Sequence, residues 1–184
     1  MSSRLLKALT EVGSHQVGTL NTSWAKQVVN GAKLTTADVD NFTLVEMDGR
    51  DTDGNKQCKQ LSVNTNKAYL ITTVEEEQLQ NIGGVQENYT DFFNEVGEMV
   101  RLTVLEDGLH FETSAFSFNV GTTVAIKGLV AHFDVATKKY ILSVAGTAHA
   151  DYATASAQFE VVNEDTDFGY GLSVPTIRLE CTKA

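Results

Sequence analysis

Short runs of alternating, β-favouring residues recur through the second half of the chain, each closed by a turn signal. The clearest is residues 99–105 (MVRLTVL), followed by Glu106-Asp107-Gly108 and then 109–113 (LHFET). An Asp-Gly pair between two such runs predicts a hairpin with a type I′ turn, in which both central residues take positive φ. Further strands are predicted over 123–127, 140–144, 158–163 and 176–181, with turns at 119–121, Lys127-Gly128, Gly146 and Phe168-Gly169-Tyr170-Gly171. Pro175 precedes the last strand, where its missing N–H harms a ladder least. Short strands at this spacing predict a mainly β fold, a compact antiparallel barrel or sandwich.

The first half is less regular. Residues 42–47 (FTLVEM) predict a strand, 48–55 a polar loop, 56–63 a returning strand and 68–73 (AYLITT) another. Thr73 and Glu76 have capping-box spacing for a short helix over 75–79, and Asn81-Ile82-Gly83-Gly84 marks a hinge. Residues 4–12 form a short amphipathic pattern that Gly13 would end. The chain therefore divides into an N-terminal arm (1–35), a small β-rich subdomain (36–88) and an antiparallel β domain (89–184). Trp24, the single tryptophan, has Val28 and Val29 nearby and reads as a core anchor or a subunit contact.

Length and composition narrow the class. With 184 residues, the chain can bury about 70% of its extended surface, so a core needs no staple. The formal charge of −10, from 24 acidic and 14 basic side chains, argues against a phosphate-backbone binder. No run has the length or apolarity of a membrane span. Cys58 and Cys181 read as two free thiols.

Catalytic patterns are missing. The 48–55 loop fails the EF-hand spacing at two ligand positions and reads as a solvated turn. His15, His110, His132 and His149 are scattered, with no pair at strand or helical spacing and no carboxylate motif beside them. His132, in LVAHFDV, reads as a hydrogen-bonded structural histidine within a strand. No Walker A run or G-x-S-x-G elbow occurs, and acidic pairs such as Glu95/Glu98 and Asp165/Asp167 read as solvated surface. The reading is no enzyme, no cofactor, no metal. Phe168 and Tyr170, flanked by glycines, form either a recognition loop or an aromatic plug.

Residues 91–101 (DFFNEVGEMVR), together with the strand-rich acidic tail, resemble small virion proteins of tailed bacteriophages, of the capsid decoration or cement type. The resemblance implies a non-enzymatic protein of the virion, made in the host cytoplasm. It would bind major capsid protein or other virion subunits, as a homo-oligomer or lattice-bound, without nucleic acid or membrane. Trp24, Val28 and Val29 on the arm, with Phe168 and Tyr170, are then the expected partner-binding residues. The alternative is a glycan-binding or adhesion module using Phe168 and Tyr170.

Overall fold

A computed structural model describes residues 14–74, 89–163 and 174–184. The predicted helices over 4–12 and 75–79, the hinge at 81–84 and the Phe168/Tyr170 loop lie outside those residues. Thirteen strands are described: β1 (Gly18–Leu20), β2 (Ala32–Leu34), β3 (Leu44–Arg50), β4 (Lys56–Gln60), β5 (Ala68–Ile71), β6 (Met99–Val100), β7 (Leu102–Val104), β8 (His110–Thr113), β9 (Phe116–Phe118), β10 (Val130–Asp134), β11 (Lys139–Ser143), β12 (Gln158–Asn163) and β13 (Ile177–Lys183). The mainly β expectation holds.

The strands form two sheets. One has the order β6-β2-β4-β3-β5-β7, and its two outer strands are successive pieces of chain joined at Arg101. Val100 pairs with Ala32 on one side, while Leu102 pairs with Ile71 on the other, so the sheet curls into a nearly closed barrel. Ala32, Leu34, Val45, Cys58, Ile71, Val100 and Leu102 fill its interior. The other sheet, β1-β8-β13-β12-β10-β11-β9, lies against the outside of this barrel.

Strand periodicity explains how one sheet serves two cores. In β5, Ala68 and Leu70 face the seven-stranded sheet, and Tyr69 and Ile71 face the barrel interior. The larger core between the sheets centres on Tyr140. Its ring meets Phe111, Phe133 and Phe159 at centroid distances of 5.6, 5.2 and 5.3 Å, in tilted or edge-on geometries.

Three expectations need correction. The Asp107-Gly108 turn exists, with the Leu109 N–H donating to the Glu106 carbonyl at 3.0 Å, but it is not a hairpin. Only Gly108 takes positive φ (82°), and β7 and β8 belong to different sheets. Each strand already has its own partners, β5 for β7 and both β1 and β13 for β8, so the turn carries the chain from barrel to outer sheet. No strand forms over 123–127, where Val124 and Ile126 are exposed and meet no partner strand. Finally, the sheets do not follow the predicted segments. The barrel takes β2 from the presumed arm, β3 to β5 from the presumed subdomain, and β6 and β7 from beyond residue 88.

The N-terminal attachment is close-packed. Phe42 holds a positive φ of 56°, unusual for a bulky residue, and is buried in the larger core. A Cβ at Gly18 would collide with its ring and with the Glu112 carbonyl oxygen. Gly18→Ala should therefore lower stability by about 1–3 kcal/mol through overpacking, read as a shift in the urea midpoint. A wild-type midpoint would show that β1 is not seated as described.

Cys58 lies inside the barrel and Cys181 in the larger core, both as free thiols, in keeping with the expectation. Burial, with a smaller effect of the Asp48 charge, pushes the Cys58 thiol up to about 12. Burial likewise raises Cys181, to about 11. At pH 8 a disulfide reagent should label the folded protein at least about a hundredfold more slowly than a free thiol. Two equivalents should react at once in guanidinium. Rapid labelling of either thiol in the native protein would contradict this placement.

Candidate functional site

Two places stand out from the packed body. The first is the connection from β1 to β2, residues 21–31, which crosses from the outer sheet to the barrel. Its backbone is tied at both ends. The Asn21 N–H donates to the His110 carbonyl at 3.0 Å, the Val28 N–H to Leu102 at 2.9 Å, and the Val104 N–H to Lys26 at 2.8 Å. Ala25 packs on the larger core and Val28 on the barrel core. Between these anchors Trp24 is 95% exposed, and Val29 beyond them is 73% exposed.

Trp24 is thus not a core anchor. The small side chains of this segment do the packing, and the crossing path turns the indole outward. Of the other expected partner-binding residues, Val28 is half-buried, while Phe168 and Tyr170 lie outside the described residues. Beside the crossing, Lys26, Arg50, Lys56 and Lys67 rim an open concavity of about 760 Å³ that Val28, Met47, Tyr69 and Val104 also line. Four cations gather there in a chain of net charge −10. The Lys67 ammonium sits 5.6 Å from the centre of the Tyr69 ring.

The acidic loop of the β3–β4 hairpin is tied by local contacts and by the Thr35 hydroxyl, which donates to Asp48 at 3.1 Å. Asp51 Oδ1 accepts the N–H groups of Asp53 and Asn55 at 3.0 and 2.8 Å, and Asp48 is paired with Lys59 at 2.7 Å. These carboxylates are occupied in shaping the turn.

The second place is on the outer face of the seven-stranded sheet. At one end this face is a solvated ladder of cross-strand pairs, Glu112 with Arg178 at 3.0 Å and His110 with Glu180 at 3.0 Å. At the other end a loop over residues 144–156 folds back onto the sheet. Its ties include the His149 N–H to Ser143 Oγ (3.2 Å), Gln158 Nε2 to the Tyr152 carbonyl (2.8 Å) and Lys183 Nζ to the Ala155 carbonyl (3.0 Å).

His132 sits on β10, opposite Ile141 of β11 and Gln158 of β12. It is fully buried, at 0% exposure. The expectation of a hydrogen-bonded structural histidine is overturned, since neither Nδ1 nor Nε2 meets a hydrogen-bond partner among the described residues. Instead its ring stacks on His149, with centroids 4.9 Å apart and planes 23° from parallel. Asp151 follows, its carboxylate 3.7 Å from His149 Nδ1. One ligand-type atom from each of His132, His149 and Asp151 lies within 4.8 Å of the other two. Burial, then the nearby His149, holds the His132 pKa below its usual value against the opposite pull of Asp151 and Asp134.

Sequence spacing concealed this group, because the β10–β11 hairpin returns the chain and the loop after β11 swings His149 over His132 of β10. His149-Ala150-Asp151 sets a histidine and a carboxylate two residues apart, but so do His110-Phe111-Glu112 and His132-Phe133-Asp134, so this spacing did not mark the group.

The model of the YonC prophage protein family matches residues 11–182. The chain belongs to this family. It is also 48% identical to the SPbeta prophage-derived uncharacterized protein YonC of Bacillus subtilis (strain 168), over the full length of both chains. No solved structure matches it. The bacteriophage part of the resemblance therefore stands, and the chain is a prophage protein.

An unpartnered buried imidazole weakens a fold. Replacing it by an apolar side chain of similar size removes a desolvation penalty, so His132→Leu in metal-free buffer should raise stability by about 1 kcal/mol. Urea unfolding with a chelator present measures this. A loss of several kcal/mol would mean that the ring has partners that stabilise it.

Proposed function

We propose that this prophage protein is a non-enzymatic component of the virion, of the decoration or cement type, that binds and stabilises a lattice of major capsid protein. The observation that carries the reading is the presentation of Trp24. A tryptophan almost wholly in solvent, on a backbone anchored at both ends, loses little conformational freedom when a partner covers it. Trp is also among the commonest hot-spot residues of protein interfaces. The same crossing contributes Lys26 and Val28 to the concavity, whose basic rim of Lys26 (3.7 Å from Glu106), Arg50, Lys56 and Lys67 suits an acidic partner surface and whose apolar floor suits a desolvated centre.

In this reading the two-core β body supplies rigidity, and the β1–β2 crossing supplies the contact. Val29 extends that contact. The capsid subunit is the partner, and the protein is located on the particle.

Density-gradient banding of particles, with mass spectrometry of the peak, tests both parts. The wild-type protein should band with particles at near-stoichiometric abundance relative to major capsid protein. A Trp24→Ala/Val29→Ala double variant should keep its thermal midpoint and lose particle association at least about tenfold, as removing a hot spot does. Absence of the wild type from particles would overturn the reading, and normal incorporation of the double variant would remove Trp24 from it.

A further inference from the structure

We propose that His132, His149 and Asp151 form a binding site for a divalent transition-metal ion, zinc by its chemistry, that clips the 144–156 loop to the outer sheet. Two observations meet here. The first is the clustering of three ligand-type atoms from two imidazoles and a carboxylate within 4.8 Å. The second is independent of it: His132 is fully buried, and both its ring nitrogens lack a hydrogen-bond partner among the described residues.

The donor set suits zinc. Two imidazoles and one carboxylate are a common three-ligand arrangement, with a fourth position left for water. Nitrogen donors also disfavour calcium and magnesium, which take oxygen. Tetrahedral coordination at about 2.0–2.1 Å puts ligand atoms about 3.3 Å apart, so the group has to contract by about 1.5 Å or less. The movable members are the right ones. His149 and Asp151 are 37% and 53% exposed on a loop, whereas His132 is fixed in the sheet. The stacked His149 ring turns toward the ion, and Asp151 closes from the solvent side.

The site has a mechanical consequence. Residues 144–156 are held to the sheet by a few scattered hydrogen bonds, and a metal would join them to β10 directly. It would also satisfy His132. Histidine at this position is then explained by metal binding rather than by metal-free stability, which it lowers.

The test uses the full chain after chelator treatment and dialysis. Isothermal titration with zinc chloride should give one equivalent, and zinc should raise the thermal midpoint by several degrees. His149→Ala should keep the metal-free midpoint and lose both the stoichiometric binding and the zinc-dependent rise. Asp151→Asn should weaken binding at least about tenfold. His132→Leu should fold and be indifferent to zinc. Absence of stoichiometric binding in the wild type would overturn the proposal. So would an undiminished zinc response in His149→Ala, because the ion would then be elsewhere, as at His110 and Glu180. Neither result bears on particle association, which Trp24 and Val29 test separately.

Discussion

The fold depends on one piece of chain serving both edges of the same sheet. Residues 99–104 pair with β2 before Arg101 and with β5 after it, and that bend closes the barrel. Closure removes two exposed edges that would otherwise present unpaired N–H and C=O groups. It also encloses the barrel core, leaving the outer barrel wall free to be buried by the second sheet. The chain leaving β7 is already committed to the barrel, so the Asp107-Gly108 turn must carry it across to the other sheet. The return path of the N-terminal segment, from β1 to β2, crosses the same gap in the opposite sense. Trp24 stands on that crossing, exposed between its anchors.

What was legible in the sequence was whatever depends on local alternation. Residues 139–143 and 158–163 alternate with period two, and each is a strand with its apolar side inward, while 68–71 is apolar on both faces and is buried on both. Alternation alone does not choose a partner, and that explains the failures. Residues 123–127 alternate too, but no described strand pairs with them, and Val124 and Ile126 stay in solvent. The run 99–105 reads as one strand because a bend that splits one ladder between two partners leaves no mark in hydropathy. The Asp-Gly signal reported a turn correctly and the pairing of its flanks incorrectly, since turn chemistry is local and sheet membership is not.

Candidate functional residues were legible only in part. Trp24 was visible as a singular residue, and its burial depended on a path that composition cannot show. The histidine group was hidden more deeply. His149 lies seventeen positions after His132, and their proximity needs both the β10–β11 hairpin and the return of the 144–156 loop. A histidine inside an apolar strand looks like an ordinary core residue until its neighbours are known. Here Ala131 and Phe133 face the core, and alternation places His132 on the opposite face, where polar residues such as Glu112, Arg178 and Glu180 normally meet water. The loop converts that wet position into a dry one.

Electrostatics links the basic concavity to the rest of the molecule. The chain carries ten more negative than positive charges, yet Lys26, Arg50, Lys56 and Lys67 converge on one concavity. Charge placed this unevenly turns a protein toward an oppositely charged surface before the two touch. In the proposed reading, an acidic partner surface would attract the basic concavity, which Lys26 and Val28 of the β1–β2 crossing help to line. The surrounding negative charge would also keep free copies apart in solution. In that reading, orientation on the partner would come from the uneven placement of charge and would weaken with added salt as the Debye length shortens.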